Sequence, residues 1–317
     1  MEVEQFFNTV RLLLVVGKGG VGKTSVAATV ARVAAGTGRS VLVADVDGKH
    51  GAAMAFGKSG QSYEEQILLA ADPPSRPGDI RGRTLTADDA LVEYLADHGM
   101  GRLARKLASN GVVDVIATAT PGIKDLLVLG KVKQLVAENR HDLIILDTPA
   151  SGHAVTFLRS ASALAESIGS GRIRRQAEEV MTLLGDHARC RVLLVTLAEE
   201  TPVNETIETA FTLEDSLGVA LVPVVVNALL DIPPAVPAGA LARLEPAERR
   251  SVGQALAVER ARAESQHRQF RRLSEGLPLP HIVLPERVGV SLDSVDYAAL
   301  SAAFVASLAS IDAGEPR

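Results

Sequence analysis

The residues with the clearest chemical potential are eight in a row: Gly17, Lys18, Gly19, Gly20, Val21, Gly22, Lys23 and Thr24. They fit the pattern Gly-x-x-x-x-Gly-Lys-Ser/Thr, and Ser25 follows them directly. Glycines at those spacings let backbone N–H groups turn inward around phosphate oxygens at the positive end of a helix. The chemistry then divides by residue type. Lys23 would neutralise the outer phosphates, and the Thr24 hydroxyl would ligate a Mg²⁺ ion. A loop like this needs a buried strand running in and a helix leaving. Leu12–Val16 supplies the apolar strand and Lys23–Ala35 the helical pattern.

Similar apolar runs recur along the chain: Arg11–Val16, Ser40–Ala44, Val112–Ala117, Asp142–Leu146, Arg191–Thr196, Leu221–Val226 and His281–Leu284. Each is apolar on consecutive positions, as strands covered on both faces are. Helical spacing fills the gaps between them. Thr86-Ala-Asp-Asp89 reads as a capping box, and Thr120-Pro121 as another helix start. Alternating strands and helices predict an α/β fold, a doubly wound and mostly parallel sheet in one domain spanning 1–317. The intervals Gly57–Gly111 and Gly152–Ala188 are long for simple crossovers. They are expected to be strandless and to form a helical subdomain, with Asp72–Gly82 as a polar, proline-rich loop. Asp231–Gly239 reads as a surface loop, and the segments before Arg11 and after Asp312 as loose ends.

The chain has 317 residues, 47% of them hydrophobic and 22% charged, with a formal net charge of -5. That balance gives no global pull toward nucleic acid. Cys190 is the only cysteine, so no disulfide, zinc Cys-x-x-Cys pair or iron–sulfur cluster is expected. The stretch Met1–Val10 carries acidic residues, and Leu12–Val16 is too short for a signal core or membrane span. A cytoplasmic protein that is not integral to a membrane is expected.

Lys18 makes the phosphate loop distinctive. Lys-Gly-Gly-Val-Gly-Lys-Thr resembles the deviant Walker A loop of dimeric ATPases, which include partition and division ATPases and the nitrogenase iron protein. In that group the early lysine reaches across the dimer to the partner's nucleotide, much as an arginine finger does. Downstream segments narrow the resemblance to the arsenite-pump and tail-anchored-protein-targeting ATPases. Val41-Leu-Val-Ala-Asp-Val-Asp-Gly-Lys-His50 is similar to their switch I, with Asp47 and His50 on its Asp and His, and Phe56 matching a family Phe. Asp147-Thr-Pro-Ala-Ser-Gly-His153 is similar to their switch II, Asn227 to their adenine-reading asparagine, and Pro285-Glu286 to their adenine loop. Pro121–Lys131 looks like the actinobacterial anion-transporting ATPase subgroup.

The resemblance implies a P-loop ATPase that uses ATP and Mg²⁺ and pairs with itself or with a paralogue. Asp47 would polarise the attacking water, with Asp45 as the rival carboxylate that could instead face the metal. Asp147 would order a water in the Mg²⁺ shell, and the backbone N–H of Gly152 would sense the γ-phosphate. Two departures matter. Gly48-Lys49 replaces the family's Pro-Ala, which points to weaker hydrolysis, and the metalloid-binding cysteines are missing, which argues against arsenite. The resemblance leaves two further readings: a nucleotide-gated targeting factor for hydrophobic protein clients, or a partition-type ATPase. The absence of a basic face and of a terminal amphipathic helix weighs against the latter. Ile123–Leu129 and the series Val155, Phe157, Leu158, Ala161, Leu164, Ala165 read mainly as core-facing, with a smaller nearby surface for a client.

Overall fold

The computed structural model describes residues 1–46, 51–71, 78–97, 99–100, 122–149, 151–234, 236–237, 239–241, 244–289 and 291–311, without the side chains of 151–153. The expected strand Val112–Ala117, the helix start at Thr120-Pro121 and the segment Asp47–His50 lie outside the described residues.

Among the described residues, nine strands form one sheet. They are β1 (Leu12–Val16), β2 (Val41–Val46), β3 (Gln66–Leu69), β4 (Ile80–Leu85), β5 (Leu143–Asp147), β6 (Cys190–Leu197), β7 (Ala220–Leu221), β8 (Val224–Leu229) and β9 (His281–Pro285). Their spatial order is β3-β4-β2-β5-β1-β6-β8-β9, with β7 beside β6. Every pairing is parallel except β3 with β4. The apolar runs predicted this: β1, β2 and β5 are buried at every position because helices cover both faces.

One face carries α1 (Val3–Phe7), α2 (Lys23–Gly36), α3 (Gly51–Ala55) and α10 (Ser294–Ser310), packed on Leu13, Val15, Val41 and Val43. The other carries α4 (Ala87–Asp97), α5 (Ile123–Glu138), α6 (Ser151–Ser167), α7 (Arg172–Leu184), α8 (Glu200–Leu217) and α9 (Pro246–Gly276), packed on Leu12, Leu14, Leu42 and Ala44. Ile123, Leu126, Val128 and Leu129 of α5 are buried there, as are Phe157, Leu158, Ala161, Leu164 and Ala165 of α6. Those faces therefore build the core. Cys190 is buried at the start of β6, and burial pushes its thiol up to about 12, so it stays protonated and apolar at neutral pH.

Three expectations are corrected. The interval Gly57–Gly111 is not strandless: β3 and β4 extend the sheet at its edge. Arg81 and Arg83 hid β4, but each has an acidic partner, Asp79 and Glu65 respectively, and Arg83 also lies over the Tyr63 ring. The segment before Arg11 is not loose. Phe6 and Phe7 are buried beside Phe304, and the Met1 amino group donates to the Leu308 carbonyl of α10. Leu221–Val226 is two strands, β7 and β8, because Val222 and Pro223 step the chain from one stretch of β6 to the next. The Thr86–Asp89 box does cap α4, with the Asp89 N–H donating to the Thr86 hydroxyl at 3.2 Å.

An ion pair with a buried ammonium and a partly exposed carboxylate ties α4 to α5. The Lys131 ammonium, its side chain 3% exposed, donates to Glu93 at 2.6 Å, and the Tyr63 hydroxyl also donates to that carboxylate. Burial opposes ionisation of Glu93, but the hydrogen bonds from Lys131 and Tyr63 outweigh it and hold its pKa below the ordinary carboxylate value. That contribution is present above the unfolded-state pKa of Glu93 and is lost as pH falls through the lowered folded value. Glu93→Ala leaves the ammonium with a long bond to Gln134 at 3.4 Å, and because Glu93 is partly exposed it should cost about 2 kcal/mol in urea unfolding, while Glu93→Leu with Lys131→Met should recover most of it. Equal losses in the two variants would mean that the pair is not what holds α4 on α5.

Candidate functional site

The site lies where β1, β2, β5 and β6 end together. β1 sits between β5 and β6 in parallel register, Val15 opposite Asp147 and Val16 opposite Leu194. The chain leaves β1 through residues 17–22 and enters α2 at Lys23. Gly17 is required by crowding, since a Cβ there would stand 2.2 Å from the Val195 carbonyl oxygen. Gly20 and Gly22 both have φ of 87°, in the left-handed region that favours glycine. Gly22 is also the N-cap of α2, and no side chain caps that helix. Backbone donors and the helix dipole therefore converge on the concave side of the loop.

Lys23 is 7% exposed and folds back over the loop, its ammonium donating to the carbonyls of Gly17 at 3.0 Å and Lys18 at 3.2 Å. The Thr24 hydroxyl donates to the Asp147 carboxylate. Asp147 ends β5 opposite Asp45 of β2, and the two are 1% and 0% exposed. Thr148 anchors this turn, its hydroxyl donating to the Val15 carbonyl at 2.8 Å. One hydroxyl beside two buried carboxylates is an all-oxygen donor set, which suits a hard cation such as Mg²⁺. Gly51, at the start of α3, would bring a Cβ to 2.8 Å from the Thr24 side chain. The chain thus returns to the phosphate loop immediately after Asp47–His50.

The remaining candidates are distributed around this centre. Ser25 hydrogen-bonds the buried Tyr297 of α10. Gly152 falls in the first turn of α6, the helix that follows Asp147. Asn227 of β8 donates its amide to the Val21 carbonyl at 2.9 Å, so it braces the loop from beneath. Pro285 ends β9 opposite Leu229, and the Glu286 N–H donates to the Leu229 carbonyl at 3.1 Å. The Glu286 carboxylate takes two bonds from Arg262 of α9, at 2.7 and 3.3 Å. Lys18 is turned to α8, where its ammonium pairs with Glu205.

Two contributors were not found by sequence reasoning. Ala228, between Asn227 and Leu229, has a left-handed φ of 53°, and the buried Gln266 of α9 donates to its carbonyl at 3.4 Å and accepts from the Leu230 N–H at 2.9 Å. Glu205 is the other. Neither belongs to a contiguous motif, and only the three-dimensional pairing singles them out.

A glycine loop between a buried central strand and a helix, at the ends of a parallel sheet, defines the P-loop nucleotide-binding class. Within it, the profile of the anion-transporting ATPase family matches residues 10–183. The chain belongs to that family. It is 34% identical over 206 residues to the ATPase BagA of Mycobacterium tuberculosis, a match covering 63% of this chain and 59% of BagA. It is 27% identical over 168 residues to the ATPase GET3 of Ajellomyces dermatitidis, covering 51% of this chain and 46% of GET3. The chain thus spans about three fifths or less of the length of these curated relatives. No described helix is long and apolar enough to cross a membrane.

The brace under the loop can be tested through Gly22. A Cβ at Gly22 would meet the Asn227 amide nitrogen at 2.3 Å, in addition to the strained φ. Gly22→Ala should cost about 2 kcal/mol in urea unfolding, and Asn227→Ala alone about 1 kcal/mol. Combined, they should cost less than the sum, because removing the amide relieves the clash. Strict additivity would show that the two residues do not bear on one another.

Proposed function

We propose that the chain binds MgATP at Gly17–Thr24 and hydrolyses it, working as a dimer with itself or a paralogue whose shape follows the nucleotide. The observation that carries this reading is the P-loop itself, with Lys23 folded over its carbonyls and Thr24 bonded to Asp147. In this reading the loop N–H groups and Lys23 hold the outer phosphates, and Thr24, Asp147 and Asp47 hold Mg²⁺, the carboxylates acting through water. The ion would supply charge neutralisation on the phosphates. The Asn227 amide and the Pro285-Glu286 turn would border the adenine. Asp47 would orient the attacking water and accept its proton, with Asp45 as the alternative. Lys18 would stabilise phosphoryl charge, and the family resemblance supports its doing so in the partner's site. A cytoplasmic setting fits this reading.

The route from phosphate to shape would run through α6. It begins just after Asp147 and packs its Phe157, Leu158 and Ala161 into the same core as α5 and α7. The proposed subdomain from about 57–111 and 152–188 would then comprise α4, α6 and α7, with β3 and β4 extending the sheet. A hydrophobic protein client would bind near these helices.

Lys23→Ala should abolish calorimetrically detectable MgATP binding, since the phosphates lose their main cation in a buried loop. Affinity within a few-fold of the parent would refute the phosphate assignment. Asp47→Asn should bind ATP but turn over roughly 100-fold more slowly. Normal turnover there with a dead Asp45→Asn would reverse the two carboxylates. For the shape change, hydrogen exchange across Gly122–Gln134 should differ between ADP and a non-hydrolysable ATP analogue. Identical exchange would mean that α5 does not respond to nucleotide.

A further inference from the structure

The loop's two lysines are held differently. Lys23 lies over the loop interior, on the carbonyls of Gly17 and Lys18. The Lys18 side chain leaves the loop altogether and pairs with Glu205, 187 residues away on α8. The backbone carrying Glu205 is fixed, because Pro202, Val203 and Thr206 on the same turns of α8 are buried against the core. Lys18, by contrast, carries its charge on a flexible four-carbon stem. The carboxylate therefore decides where the ammonium rests.

The surroundings add to the hold. Lys18–Val21 and Leu197 face the first turn of α8 across a shallow cleft, and that turn brings Glu199, Glu200, Thr201 and Pro202. Glu199 and Glu200 are exposed at its rim. An anionic phosphate approaching this side of the loop meets the carboxylates of Glu199 and Glu200, and Lys18, the cation among the described residues lining the cleft, is already paired with Glu205. Both members of the pair have side chains 35% exposed, so water competes for each and the pair is a weak one that an oxyanion can displace.

We infer that Glu205 is a positioning residue for Lys18: it keeps the Lys18 ammonium on its own chain, away from nucleotide phosphate, until a phosphate oxyanion takes its place. The inference rests on the proposed ATP reading of the loop and assigns a role to a residue outside every motif of that site. It holds whether Lys18 then serves its own nucleotide or that of a second copy, since either use requires the same bond to break.

The test is calorimetric titration of the full chain with Mg²⁺ and the β,γ-imido analogue of ATP. Four proteins are compared: the parent, Glu205→Gln, Lys18→Ala and the double variant. Glu205→Gln keeps the side chain's shape and removes its charge, so Lys18 is released at no cost in packing. Apparent affinity should rise about two- to five-fold, the range set by a half-exposed ion pair. The gain should vanish in the Lys18→Ala background, as it must if Glu205 acts through Lys18. Glu205→Asp, which keeps the charge, should lie nearer the parent than Glu205→Gln does. Sedimentation of the same samples shows whether the gain accompanies self-association, which identifies the copy that Lys18 serves. Unchanged or weakened affinity in Glu205→Gln would overturn the inference, as would a gain that persists without Lys18. If the parent binds the analogue and Glu205→Gln behaves identically, this inference alone fails. If the parent does not bind it, the nucleotide reading fails as well. Thermal unfolding at the parent's temperature would confirm that Glu205→Gln is intact.

Discussion

A backbone carbonyl of β6 stands where any side chain on residue 17 would begin, and the site is built around that contact. Because β1 runs in register between β5 and β6, its last residue delivers the chain directly against Val195. Only glycine can make that turn, and the loop that follows must curl back toward the sheet to start α2. The positive φ at Gly20 and Gly22 completes the curl. The cradle for phosphate is thus a consequence of strand order. The central position of β1 brings Asp147 from one neighbouring strand and the Val195 carbonyl from the other to the same point.

Charge placement follows the same geometry. Asp45 and Asp147 end adjacent parallel strands, so register makes them neighbours, and the helix-covered sheet keeps both from solvent. Two buried carboxylates side by side repel and lack water. Such an arrangement persists where hydrogen bonds or a cation offset the cost. The Thr24 hydroxyl supplies one such bond. The Lys131–Glu93 pair solves a similar problem at a distance from the site, holding α4 to α5 with a desolvated ammonium. The two clusters have opposite logic. The distant one fixes one helix against another, whereas the near one groups oxygen ligands beside the phosphate loop.

Much of this was legible in the sequence because its determinants are local. The P-loop is contiguous, and its flanking strand and helix are read from consecutive apolar residues and from helical spacing. The fully buried strands announced themselves as unbroken Val, Leu and Ile runs. What escaped was set by partners far away in sequence. β4 reads as polar because Arg81 and Arg83 interrupt it, and their compensation by Asp79, Glu65 and the Tyr63 ring is visible only in three dimensions. Phe6 and Phe7 looked like part of a loose end, since Phe304, on which Phe6 packs, lies far away in sequence. Asn227 stood out in the sequence for its resemblance to the family's adenine-reading asparagine. Its bond to Val21, which braces the loop, is a contact that an isolated Asn cannot reveal. Glu205 carried no motif at all.

The account stands on the loop being a working nucleotide cradle, and the most direct measurement is thermal unfolding of the unmodified chain with and without MgATP. A ligand that binds only the folded state stabilises it by about 2.7 kcal/mol at one hundred times its dissociation constant. The account predicts a rise of several degrees in the midpoint that grows with MgATP concentration. The rise should be smaller when Mg²⁺ is chelated, because Thr24 and the carboxylates beside it then lose the ion they would share with the phosphates. A cooperative transition whose midpoint does not move at millimolar MgATP would contradict the account.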